Sequence, residues 1–144
     1  MSGLMATLNI AANTDNTGKA MSFVDAELTR HDFPADLKPE ILIAVEEVFV
    51  NIASYAYKPE EEGYVKLSVM VDDKAIIRFK DSGKPFNPLE ISDPNLDAPI
   101  VEREIGGLGI HFVKNLMDEV DYVYAGEENI LTISKGRSGP DGVK

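Results

Sequence analysis

The stretch from Pro39 to about Tyr57 constrains the fold more than any other, because its apolar residues recur at helical spacing while two adjacent carboxylates sit among them. With 100° per residue and Val48 at zero, Ile41, Val45 and Ile52 fall within about 60° of it, which marks one buried face. Glu47 then lies near −100° and Asn51 near −60°, at the border of that face, whereas Glu46 lies near 160°, on the far side. A carboxylate and an amide one turn apart beside an apolar stripe have to be satisfied by something. Taken alone, the pair reads as two ordinary boundary polar residues. Pro39, in the first turn after Asp36, suits a helix start, and Pro59 and Gly63 suit its end.

The remaining elements follow from the same two periods. Met5 to Ala11 is strand-like, and Asn16 to Arg30 reads as an amphipathic helix with Ala20, Phe23, Val24 and Leu28 on one side. Val65, Leu67, Val69 and Val71 alternate with polar positions, and Asp72-Asp73 turns the chain into a second strand, Ala75 to Lys80, so this pair is a β-hairpin. From Asp81 to about Gly107 periodicity fails among Pro85, Pro88, Pro94 and Pro99, which suggests a long functional loop of the lid kind. Leu108 to Met117 reads as a helix, Val120 to Tyr124 and Ile130 to Lys135 as strands, and the polar tail from Gly136 as frayed. The expected fold is a two-layer α/β (α+β) sandwich with a mixed, mostly antiparallel sheet and helices on one face. Residues 1–136 would form one domain and 137–144 a flexible C-terminal tail.

Composition narrows the function. The net charge of −11 comes from 25 acidic against 14 basic residues, which argues against nucleic acid as the main ligand. An anionic small ligand would have to be held by backbone amides, a helix N-terminus and a divalent cation. Without cysteine and with only two histidines, disulfides and thiolate or imidazole metal sites are not expected. No apolar run reaches membrane length and no basic, apolar leader opens the chain, so a cytoplasmic protein with no membrane partner is the simplest reading.

Two further signals join Glu47 and Asn51. Along Ile76 to Asp81, the alternation puts Ile77, Phe79 and Asp81 on the covered face, so Asp81 points inward at the strand's end. There it can accept a hydrogen bond from an exocyclic amine, and Gly83 lets a flat ring approach the backbone. Gly106-Gly107-Leu108-Gly109 opens a helix at the end of the long loop, where free amides and the helix dipole favour an anion. It is neither a Walker loop nor a Rossmann fingerprint. Each signal has a plain alternative: a boundary pair, an Asp-Ser-Gly turn, a glycine cluster before a helix.

Their order, Glu-x-x-x-Asn on a helix, Asp-x-Gly after a strand and Gly-x-Gly at a helix start, resembles the N, G1 and G2 boxes of the Bergerat-fold (GHKL, histidine-kinase-like) ATPases. Within that superfamily the chain is similar to the anti-sigma-factor serine kinases over roughly residues 37–135, through Glu46-Glu47-Val48-Phe49-Val50-Asn51, Asp81-Ser82-Gly83-Lys84-Pro85-Phe86, and Gly107-Leu108-Gly109-Ile110 running into Met117-Asp118-Glu119-Val120. The resemblance implies that Glu47 is the catalytic base, that Asn51 holds Mg²⁺ against the phosphates of ATP or ADP, and that Asp81 binds the adenine amine. Gly83 would floor the base pocket, Gly107 and Gly109 would hold phosphates, and Thr132 would reach the adenine edge. Tyr55 stands where many relatives have His; near −20° on the wheel, it is expected to pack into the apolar stripe. His31, His111, Lys84 and Arg103 read as packed or solvated residues.

The function implied is an ATP- and Mg²⁺-dependent protein serine kinase that acts as an anti-sigma factor or partner-switching regulator. Its partners would be a sigma factor or similar regulator and a STAS-type antagonist whose serine is phosphorylated, and it would be a homodimer. A nucleotide-binding module that switches partners without phosphoryl transfer is the alternative; in it Glu47 is structural.

Overall fold

The computed structural model describes residues 5–58, 60–85, 87 and 113–137. Five strands and two long helices are present among them: β1 (Met5–Ala11), α1 (Thr17–Arg30), α2 (Lys38–Tyr55), β2 (Tyr64–Val71), β3 (Lys74–Asp81), β4 (Glu119–Ala125) and β5 (Glu128–Gly136). The strands form one sheet in the order β1-β2-β3-β5-β4, and all four pairings are antiparallel. The parallel component of the expected mixed sheet is therefore missing among the described residues. A 3₁₀ turn, Thr14–Asn16, leads into α1; Asn13 caps it by accepting from the Asp15 amide at 2.8 Å. The expected helix from residue 108 is represented by helical residues 113–116, and its earlier part lies outside the described residues.

One face of the sheet carries the core. Val65, Leu67, Val69 and Val71 of β2 and Ala75, Ile77 and Phe79 of β3 are buried, as the strict alternation requires. Against them pack Ala20, Val24 and Leu28 of α1 and Ile41, Val45 and Val48 of α2. The buried arc of α2 is wider than the sequence stripe, because Ala44 and Phe49 are also fully buried where α1 and the sheet meet α2 from two sides.

Two expectations need correction. Tyr55 is not packed into the stripe but is 36% exposed, and Ala56 is the buried residue at that end of the helix. It is Ala56 that lies against the turn after β3, close enough that a Cβ on Gly83 would collide with it, while Tyr55 lines the open side of that junction. Gly136 and Arg137 are also anchored parts of the fold. Gly136 closes β5, and its amide donates to Asp118 Oδ2 at 2.7 Å. Arg137 donates to the carbonyls of Asp72, Asp32 and His31 and lies 5.7 Å from the centre of the Phe33 ring. Those carbonyls belong to two loops at one end of the sheet, so a single guanidinium fork closes that end.

Candidate functional site

At the opposite end of the sheet, α2 crosses the ends of β3 and β5. The alternation of β3 delivers Asp81 to the covered face, where it is 5% exposed. The helical period of α2 delivers Asn51 to the same place, 6% exposed. Between them opens a small pocket, lined by Val48, Asn51, Ile52 and Ala56 of α2 and its end, by Asp81 and Lys84, and by Tyr122, Asn129 and Leu131 of the last two strands. Its walls are mainly apolar, with carboxylate and amide groups converging on it, the usual chemistry of a small-molecule site.

Asn51 Oδ1 is the one buried side-chain nitrogen or oxygen among the described residues that has no hydrogen-bond partner. Leaving such an acceptor unpaired costs roughly 1–3 kcal/mol, so an oxygen in this position could take a bound donor or cation. A hard cation suits a bare amide oxygen, and Mg²⁺ in particular takes few protein ligands and keeps several waters. No group of three or more His, Cys, Asp or Glu side chains placed to hold a metal occurs among the described residues, so a metal here would depend on its own waters and on a ligand's oxygens. Glu47 stands one turn before Asn51, half-buried, while Glu46 is exposed, as the wheel requires. Burial raises the Glu47 carboxyl above its ordinary value, and the neighbouring charge of Glu46 raises it further.

Asp81 is held from one side. Its Oδ1 accepts from the Gly83 amide at 2.9 Å and from Asn129 Nδ2 at 2.9 Å, which leaves Oδ2 for a ligand. Burial raises the Asp81 carboxyl, the bonds from Asn129 and Gly83 pull it back, and the charge of Glu128 adds a smaller upward push. Asn129 is a residue that sequence reasoning missed. Its Nδ2 also donates to the Lys84 carbonyl at 2.9 Å, while its Oδ1 accepts from the Tyr122 hydroxyl, so the amide orientation is fixed by its neighbours. The signal was present: Asn129 is in phase with Leu131 and Ile133, but the strand was expected to start one residue later, at Ile130.

Thr132 is a correction. It lies out of phase with Asn129 and Leu131, and its hydroxyl accepts from Arg78 Nε at 3.3 Å on the other face of the sheet, away from the pocket. Gly83 has a packing role that the sequence did not announce. A Cβ there would come within 2.2 Å of the Ala56 carbonyl oxygen, so glycine lets the Asp81 turn lie against the end of α2, and the Lys84 amide donates to that same carbonyl at 3.1 Å. Gly107, Gly109, Arg103 and His111 lie outside the described residues, as does most of the expected lid. The Lys84 side chain is exposed, and His31 faces Glu27 at 3.8 Å, far from the pocket.

Residues 10–135 match the family model described as the histidine kinase-like ATPase domain. The serine-protein kinase RsbW of Listeria monocytogenes serovar 1/2a is 27% identical over 123 residues, a stretch covering 82% of this chain and 78% of the relative. The anti-sigma F factor of Geobacillus stearothermophilus is 28% identical over 114 residues, 78% of each chain. Among solved structures, the RsbU and RsbW domains of Rv1364c from Mycobacterium tuberculosis superpose with a TM-score of 0.66 over 92% of this chain, at 11% identity. The chain spans 32% of that longer polypeptide, and the likeness is one of fold. No helix among the described residues is long and apolar enough to cross a membrane.

Proposed function

The chain belongs to the histidine kinase-like ATPase domain family, and from that premise we propose that it is an ATP- and Mg²⁺-dependent protein serine kinase that acts as an anti-sigma factor or related partner-switching regulator. The observation that carries the nucleotide reading is the buried, unpartnered Oδ1 of Asn51, a residue that lines the same pocket as Asp81 and Asn129. Asp81 Oδ2 accepts the adenine amine, and the apolar walls from Val48, Ile52 and Leu131 take the ring faces. Asn51 would hold the Mg²⁺, which when bound neutralises phosphate charge.

Glu47 supplies the chemistry. It sits one helical turn from Asn51, and its raised pKa suits a carboxylate that takes the proton of an attacking serine hydroxyl. Most of the rate would come from positioning and electrostatics, as in phosphoryl transfer generally. The relatives named serine-protein kinase and anti-sigma F factor support a protein acceptor and a sigma-factor partner; a STAS-type antagonist as the substrate and a homodimer as the active form are part of the proposal. The net charge of −11 supports a protein partner over nucleic acid.

The test is transfer of labelled phosphate from ATP to a STAS-type antagonist in the presence of Mg²⁺. Glu47→Gln is expected to keep ATP binding and to slow transfer by roughly two to four orders of magnitude, the range for a positioned general base. Transfer at the wild-type rate in that variant would remove Glu47 from the chemistry, and no transfer by the wild-type protein would leave a nucleotide-binding switch in which Glu47 is structural.

A further inference from the structure

Beyond Asn51, Glu47 and Asp81, the geometry points to Tyr57 as a positioning residue of the nucleotide site, one that sets how strictly the site selects a base with an exocyclic amine. The inference rests on the adenine reading of Asp81 given above. Tyr57 follows α2 by two residues and lies beside the Asp81 turn, not within the pocket wall. Its hydroxyl accepts from the Ser82 amide at 2.9 Å and donates to the Tyr64 carbonyl at 2.8 Å, so it links the end of β3 to the start of β2.

The ring is placed as firmly as the hydroxyl. A Cβ on Gly63 would fall 2.3 Å from the Tyr57 ring carbons, so the ring lies flat against the backbone of residue 63, a contact that only glycine allows. Burial raises the phenol's pKa, with the nearby Asp81 charge contributing, so the hydroxyl stays protonated and able to donate.

Three successive amides of the turn are thereby fixed by three different groups. Ser82 N–H goes to Tyr57, Gly83 N–H to Asp81 Oδ1 itself, and Lys84 N–H to the Ala56 carbonyl. The Gly83 bond is one of the two that aim the Asp81 carboxylate. The Ser82 bond lies in solvent's reach, so water can replace the lost hydroxyl with little cost to the fold. What water does not replace is the fixed position of the turn. Loss of the hydroxyl therefore loosens the aim of Oδ2 before it loosens the domain.

The experiment compares the affinities of ATP and inosine triphosphate, which carries a carbonyl in place of the amine, for wild type, Tyr57→Phe, Asp81→Asn and the double variant. In wild type ATP binds more tightly. Tyr57→Phe should weaken ATP by about three- to ten-fold, the net worth of one hydrogen bond, and leave inosine triphosphate nearly unchanged. In the double variant the ATP-to-inosine ratio should equal that of Asp81→Asn alone, because Tyr57 acts through Asp81. Equal losses for both nucleotides in Tyr57→Phe, or independent losses in the double variant, would mean that Tyr57 only supports the fold and would overturn the inference. A wild-type protein that does not prefer ATP overturns the adenine reading beneath it. Hydrogen exchange gives a check that needs no variant: the Ser82 amide should be protected in nucleotide-free wild type, and an unprotected amide removes the bond on which the inference stands.

Discussion

Asp81→Asn is expected to make the nucleotide-free protein more stable at neutral pH while damaging its ligand response. Asparagine keeps Oδ1, so the bonds from the Gly83 amide and Asn129 Nδ2 survive. They weaken when the acceptor loses its charge, together by about 1–2 kcal/mol. Against this stands the cost of keeping a 5% exposed carboxylate ionised, several kcal/mol for a buried ion. The raised pKa of Asp81 decides the balance, because it says that burial outweighs both bonds. A net gain of about 1 kcal/mol corresponds to roughly 3–5 °C in melting temperature for a chain of this size. A carboxyl whose folded pKa is raised contributes stability that is fully present below its unfolded value and is lost as pH rises through the folded value. The advantage of the variant should thus be largest at pH 7 and shrink as the wild-type carboxyl becomes protonated. Thermal melts from pH 4 to pH 8, with and without Mg²⁺ and ATP, read both effects, and the ATP-induced rise should be reduced in the variant. A variant less stable than wild type at pH 7 by an amount that persists in acid would refute the electrostatic reasoning. A full ATP-induced rise would remove Asp81 from the site.

The rise of transfer rate with pH should set in above the ordinary glutamate range, since Glu47 must be ionised to act and burial holds its carboxyl up; Glu46→Gln should keep activity and move that rise to lower pH by removing the second cause. Replacing Asn51 by leucine should abolish the effect of Mg²⁺ on ATP affinity, measured by titrating the metal at fixed nucleotide, and an unchanged Mg²⁺ dependence would place the ion elsewhere. Gly83→Ala should destabilise the domain by about 1–3 kcal/mol, because a methyl 2.2 Å from the Ala56 carbonyl oxygen meets backbone that cannot swing aside. A wild-type melting curve for that variant would show that the turn does not lie against α2.

The local elements were legible because each has one buried face. Val65 to Val71 and Ala75 to Lys80 could only alternate as they do in a half-covered hairpin, and the chain forms it with Met70 opposite Ile76 and Val71 opposite Ala75. Sheet order was not legible, because it depends on partners far apart in the chain: β1 pairs with β2 across both helices, and β3 pairs with β5 across the long segment before β4. The burial of Phe49 and Ala44 was missed for the same reason. A wheel drawn on α2 alone does not know that α1 covers its flank.

The candidate site followed the same division, and its errors are errors of phase and of neighbourhood. Asn51 and Asp81, which both line the pocket, stood out because each is a polar residue at the border of, or in phase with, a buried face within a single element; Glu47, one turn before Asn51, does not line it. Asn129 obeys that rule equally well, and it was lost only because the strand was started one residue late; Thr132 was chosen against the rule and sits on the wrong face. Tyr55 and Gly83 show the other limit. Which residue at a helix end is covered is decided by what approaches from the next element, and here the turn of Asp81, Gly83 and Lys84 lies on Ala56. The buried polar residues proposed to meet a ligand could therefore be read from periodicity. The residues that aim them, Asn129 by its amide and Tyr57 by its hydroxyl, are joined to the Asp81 turn from β5 and from beyond the end of α2, and a pattern confined to one element does not contain such a junction.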